Sequence, residues 1–135
     1  MSIQEKYIKY KDLLAQHSNN MEKYEYLIEL GKRSNIDDEY KLDSFLIPGC
    51  MSRVWLVPKF ENGVINFMCD SDAHITKGLV TIIAEIFSGA TSKEIKEINV
   101  NTIIEGLQLF TILSPNRRNG TYNMFGVIKK YAETI

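Results

Sequence analysis

Few residues of this chain could do chemistry, and Pro48-Gly49-Cys50 is the most informative group among them. Proline fixes its own backbone angle, and glycine admits a turn that other residues resist. Together they can lift Cys50 onto the tip of a loop between two strands. A thiolate there would be a nucleophile toward another protein. The other reading makes Cys50 a small buried apolar residue, the commoner fate of a free cysteine. Cys69 alternates with Ile65 and Phe67, which puts it on the apolar side of a strand in a structural role. Arg117-Arg118 falls in the first turn of the last helix, where positive charge opposes the helix dipole. Such a pair either meets a carboxylate, a phosphate or an anionic sulfur, or is solvated and screened.

Other chemistries find little support. His17 ends the first helix and His74 opens a later one, and neither has a partner at metal-ligand spacing. Two cysteines are too few for a disulfide framework, and no Cys-x-x-Cys, phosphate loop, nucleophile elbow or dinucleotide fingerprint occurs. Sixteen basic against seventeen acidic residues leave a formal charge of −1, so no bulk positive field exists for a nucleic-acid backbone. The 135 residues are one domain's worth and long enough to bury a core. The apolar stretch Gly78 to Phe87 is too short to span a bilayer, and the N-terminus lacks the apolar core of a signal peptide. The expectation is a cytoplasmic protein with reduced thiols and no membrane partner.

The elements that must position these residues follow from periodicity. Ile3, Tyr7, Tyr10 and Leu14 share one helix face. Asn19 with Glu22 has the form of a capping box for a second helix carrying Met21, Tyr24, Leu27 and Ile28, with Gly31 as its C-cap. Two short helices with a tight break suggest a helical hairpin. Residues 34–44 form a polar surface loop. Then come a short strand at Phe45–Ile47, the cysteine loop, a strand at Val54–Val57, the turn signal Asn62-Gly63 and a strand from Val64 to Asp70. Asp70, Ser71 and Asp72 offer starts for a long helix with Ile75, Leu79, Ile82, Ile83 and Ile86 inward, closing near Gly89. Thr91 with Glu94 caps a short helix, and the stretch to Leu113 is helical in pieces. Ser114-Pro115 starts a last helix to about Ala132, which Gly120 and Gly126 weaken.

These segments, in their order and spacing, resemble the SufE family of sulfur-acceptor proteins. The resemblance runs over residues 20–130. Tyr26-Leu-Ile-Glu-Leu-Gly31, Pro48-Gly-Cys-Met-Ser52 with Val54-Trp-Leu-Val57, Asp70-Ser-Asp-Ala73 with Lys77-Gly-Leu79, Ser88-Gly89 and Leu113-Ser-Pro-Asn-Arg117 carry it. It implies a single α/β (α+β) domain over 1–135, with a small antiparallel three-stranded sheet backed by helices, a fold shared with scaffold proteins for iron–sulfur clusters. It makes Cys50 the persulfide acceptor and puts Arg117 and Asp72 beside its loop, where Asp72 would hold the Arg117 guanidinium.

The family likeness also implies partners. A SufS-like cysteine desulfurase, which owns the pyridoxal phosphate, would give sulfur to Cys50. A SufBCD-like scaffold complex would receive it for cluster assembly. This protein would need no cofactor or metal, and would be an activator and carrier rather than an enzyme. Its rivals are an iron–sulfur cluster scaffold, which needs three or four ligands, and a cysteine-dependent hydrolase or redox enzyme, which needs a base or a resolving thiol near Cys50. Met51 and Arg53 stand where the family commonly has Gln, and Ile112 where it often has His. The apolar neighbours Ile47, Met51 and Val54 would shelter the sulfur.

Overall fold

The computed structural model describes residues 1–34, 36–109, 113 and 115–134, with only the backbone of residues 116 and 117. Ser114 as an N-cap, the Ile112 departure and the Arg117 side chain therefore lie outside the described residues. Helix α1 spans Ile3–Ala15 and buries the four residues its periodicity marked, Ile3, Tyr7, Tyr10 and Leu14. Helix α2 spans Asn20–Gly31. Its capping box is half formed: Asn19 accepts from the Glu22 N–H at 2.9 Å, but the Glu22 carboxylate turns to the Ser18 N–H and hydroxyl. Its stripe is also narrower than expected, since Leu27 and Leu30 are buried while Met21 is exposed.

The sheet has three antiparallel strands in the order β1-β2-β3: β1 at Val54–Glu61, β2 at Val64–Ser71 and β3 at Ala90–Thr91. The class matches expectation, but the third strand is not Phe45–Ile47. That segment makes one bridge, Leu46 with Trp55, before Pro48-Gly49 turns the chain away. Asn62 and Gly63 form the β1–β2 turn with both φ angles positive, as a two-residue hairpin of this twist requires. Pro58 is tolerated because β1 is an edge strand. Val54 and Leu56 join the main core, while Trp55 and Val57 pack on the other face with Ile36, Tyr40, Phe45 and Leu46. An unbroken apolar run is what a strand covered on both faces needs. Residues 36–46 thus supply a cover through two 3-10 turns, at Asp38–Tyr40 and Asp43–Phe45.

Helix α3, at His74–Phe87, is the centre of the core, with Leu79, Ile82, Ile83 and Ile86 almost wholly buried. It starts later than the Asp-Ser-Asp signal suggests, because Asp70 and Ser71 still belong to β2. Helices α1 and α2 both lean on α3 rather than forming a hairpin on each other. The α2–α3 approach is so close that a Cβ on Gly78 would strike the Leu27 carbonyl, and one on Gly31 would lie 2.9 Å from the Gly78 nitrogen. Gly31 is therefore a packing residue inside α2, not its C-cap, which is Lys32. Helix α4 (Ser92–Glu97) has the expected Thr91–Glu94 capping box, α5 spans Val100–Gly106, and α6 runs Pro115–Glu133. No helix among the described residues is long and apolar enough to cross a membrane.

Two glycine substitutions separate packing from propensity. Gly78→Ala forces α2 from α3 and is expected to cost about 1–3 kcal/mol, as overpacked cores do. Gly126 has nothing within 4 Å of its would-be Cβ. Gly126→Ala should therefore stabilise α6 by roughly 0.5–1 kcal/mol. Urea denaturation of both variants checks the opposite signs.

Candidate functional site

Cys50 sits in the loop between Ile47 and β1. Gly49 has φ +79°, a left-handed turn that side chains resist. The loop is tied at both ends. At one end the Asn123 amide of α6 donates to the Pro48 carbonyl at 2.8 Å. At the other, the Arg53 N–H donates to Asp72 Oδ1 at 3.0 Å and the Ser71 hydroxyl donates to the Arg53 carbonyl at 2.8 Å. The Arg53 guanidinium adds a 3.1 Å contact to Asp72 Oδ2 and lies over the Trp55 ring, 5.4 Å from its centroid.

Between these ties Cys50 packs against the backbone of α6. A Cβ on Gly120 would fall 2.5 Å from the Cys50 sulfur and 3.0 Å from its Cα. Only glycine leaves room for this thiol. Beside it lies a cavity of about 20 Å³ lined by Cys50, Val54, Thr76, Val80, Leu113 and Met124, among others. Cys50 is half-buried as a result, and that burial pushes its thiol up from the ordinary cysteine value. The cover comes mainly from α3 and α6. Of the three neighbours expected to provide it, Val54 and Met51 line the cavity, Ile47 does not, and Met51 is itself 75% exposed.

The domain model named SufE, an Fe–S metabolism associated domain, matches residues 9–132. The chain is 38% identical over 117 residues to an uncharacterized SufE-like protein of Rhizobium meliloti, covering 83% of this chain and 84% of that one. It is 33% identical to an uncharacterized SufE-like protein of Synechocystis, covering 86% and 73% of the two chains. The chain belongs to the SufE family. A solution structure of a hypothetical protein from Thermus thermophilus shares the fold, with a TM-score of 0.76 over 96% of this chain and 94% of that one at 14% identity.

Within this SufE protein, Asp72 lies at the cysteine loop; its expected contact with Arg117 lies outside the described residues, and its carboxylate meets Arg53. Both members of that pair are substantially exposed, at 68% and 43%. The pair contributes about 0–1 kcal/mol and acts chiefly by fixing where the loop ends. Arg118 donates from Nε to the Leu113 carbonyl at 3.4 Å. Cys69 is buried, as expected. Its sulfur lies 3.4 Å from the Ser34 hydroxyl and 3.9 Å from that of Thr81, and burial pushes its thiol up as well. No group of three or more His, Cys, Asp or Glu among the described residues is placed to hold a metal ion. The residues that sequence reasoning missed are Ser71, Thr76, Gly120 and Asn123. Gly120 alone left a trace, as a glycine in a helix interior with no turn to explain it.

The raised thiol sets a pH dependence. Iodoacetamide reacts with thiolate, so Cys50 alkylation should be slow near neutral pH. Its half-point should lie above that of a free cysteine, because the neutral form is favoured. Gly120→Ala displaces the thiol toward water, so the half-point should fall and the neutral-pH rate rise about tenfold for each pH unit regained. Asn123→Ala should act in the same direction more weakly. Rates measured against pH on the Cys69→Ala background isolate the Cys50 contribution.

Proposed function

We propose that this protein is the sulfur acceptor and activator of a cysteine desulfurase. The desulfurase, using its own pyridoxal phosphate, removes sulfur from free cysteine and holds it as a persulfide. The Cys50 thiolate attacks the terminal sulfur of that persulfide. The new bond joins Cys50 Sγ to the sulfane sulfur, the old S–S bond breaks, and its electron pair leaves on the desulfurase cysteine as thiolate. The sulfane sulfur keeps its own proton or gives it to solvent. Sulfur oxidation states are exchanged between the two cysteines, so no oxidant is needed. Emptying the desulfurase lets it turn over again, and Cys50 then passes its sulfur to a scaffold complex for cluster assembly. The protein has no turnover of its own and works in the cytoplasm.

The observation that carries this reading is a single half-buried cysteine held over an apolar cavity on a loop tied at its two ends. Persulfides are lost to reductants and oxidants, so a carrier benefits from such cover. The exposed Met51 next to Cys50 offers a flexible apolar contact for a partner surface. Arg53, also exposed, offers a charge beside it. Arg117 is assigned to partner engagement, through a carboxylate of the desulfurase.

Sulfide release from cysteine by the desulfurase, titrated with this protein, tests the proposal. Stimulation should vanish in Cys50→Ser and persist in Cys69→Ser, and the peptide bearing Cys50 should gain one sulfur by mass. Labelling chiefly on Cys69 would overturn the assignment. Arg117→Ala should raise the concentration for half-maximal stimulation without lowering thermal stability, and Arg118→Ala should do less.

A further inference from the structure

The cavity beside Cys50 is apolar except at a few points, and one of them is unexplained. Thr76, in the first turn of α3, lines the cavity, and its hydroxyl oxygen is buried without a hydrogen-bond partner among the described residues. Helical threonines usually satisfy that oxygen on the carbonyl four residues back. Thr81, one and a half turns along α3, does so with the Lys77 carbonyl at 2.6 Å. A buried hydroxyl with no partner is destabilising, and its persistence at a site calls for an explanation. The cavity volume, about 20 Å³, is that of a single atom-sized guest rather than a substrate.

We propose that Thr76 is the positioning donor for the sulfane sulfur: its hydroxyl hydrogen-bonds to the terminal sulfur of a Cys50 persulfide lodged in this cavity. The inference rests on Cys50 as the sulfur-carrying residue. In the unloaded protein no hydrogen bond joins the thiol sulfur and the hydroxyl. A persulfide extends the side chain by one sulfur atom, into the cavity that Thr76 borders. Its terminal sulfur, when ionised, is an acceptor that gains more from a donor inside an apolar pocket than a neutral thiol does. The hydroxyl thus has no protein partner among the described residues in the unloaded protein and gains one in the loaded form. This difference favours retention of sulfur.

The test loads Cys50 without the desulfurase, so that its outcome is independent of that partnership. On a Cys69→Ala background, inorganic polysulfide transfers one sulfur to the Cys50 thiolate and is shortened by one atom. Cyanide then removes the sulfane sulfur as thiocyanate and regenerates the thiolate, and the rate of thiocyanate release reads how firmly the sulfur is held. Thr76→Val keeps the shape and removes the donor; Thr76→Ser keeps the donor. Release from Thr76→Val should be about five- to tenfold faster than from the parent, with Thr76→Ser close to the parent. Unloaded Thr76→Val should have an unchanged or higher melting temperature and an unchanged Cys50 alkylation rate, because no existing bond is lost. Equal release from parent and Thr76→Val overturns the proposal. So does equal acceleration by both variants, or faster alkylation of unloaded Thr76→Val, since each marks a packing role alone. If the desulfurase is not stimulated yet release still depends on the hydroxyl, the partner assignment fails and the sulfur site stands.

Discussion

Cys50 rests against a helix at the one point where that helix has no side chain. With any other residue at position 120, the sulfur and its own Cα would be displaced by the added carbon. A glycine inside a helix costs about 1 kcal/mol relative to alanine. That local loss is acceptable because α6 is anchored elsewhere. Phe125 meets Phe87 edge to face with centroids 5.9 Å apart, and Ile128 and Ala132 are fully buried. Lys129 donates to the carbonyls of Lys96 and Ile98, closing the end of α4. The C-terminal half of α6 is therefore bound to the core, and its N-terminal half can be spent on the shape of the cysteine pocket.

Shelter and reactivity are opposed at this thiol, and one motion resolves both. Burial raises the Cys50 pKa, so the nucleophilic thiolate is scarce while the loop is packed. Outward movement rehydrates the sulfur, lowers its pKa and exposes it together. The described restraint on the α6 side is the Asn123 bond to Pro48, worth about 0.5–1.5 kcal/mol net. A partner that buried the exposed Met51 side chain would gain roughly 1.5–3 kcal/mol. The two magnitudes are similar, so the Asn123 bond alone would not hold the loop against such a surface.

The helices and the hairpin were legible because their signals are local. Four residues at helical spacing mark α1, Asn62-Gly63 marks the turn, and Thr91 with Glu94 marks the start of α4. The third strand was not legible: two residues, Ala90 and Thr91, are too short to show alternation, and only the β2 edge gives them an identity. Gly31 was misjudged for a related reason. A glycine near a helix end suggests a cap, whereas its real constraint is Gly78, 47 positions away in sequence numbering. In the site, Cys50 is marked in the sequence by its loop and family pattern, and the structure places it half-buried beside the cavity. Gly120 and Asn123 leave no such mark, because each meets the cysteine loop from a helix remote in sequence, and Thr76 reaches the cavity from another. Asp72 does sit at the loop, and its contact with Arg53 leaves no periodicity or cap signal in the sequence.

The Asp-Ser-Asp segment shows how the Arg53 end of the loop is held. Asp70 is buried between Lys77 of α3, at 3.3 Å, and Lys41 of the 36–46 cover, at 3.5 Å. Removing one partner of a buried pair typically costs about 3–5 kcal/mol, so this carboxylate holds β2, α3 and the cover segment as one unit. Ser71 and Asp72 extend from that unit and grip Arg53 through its carbonyl, its N–H and its guanidinium. The Pro48 end, by contrast, reaches α6 through the Asn123 amide. The buried carboxylate thus serves the Arg53 end of the loop. The Ile47 N–H on the Val54 carbonyl and the Asn123 amide on the Pro48 carbonyl serve the other, so the turn carrying Cys50 is braced from β1, β2 and α6 together.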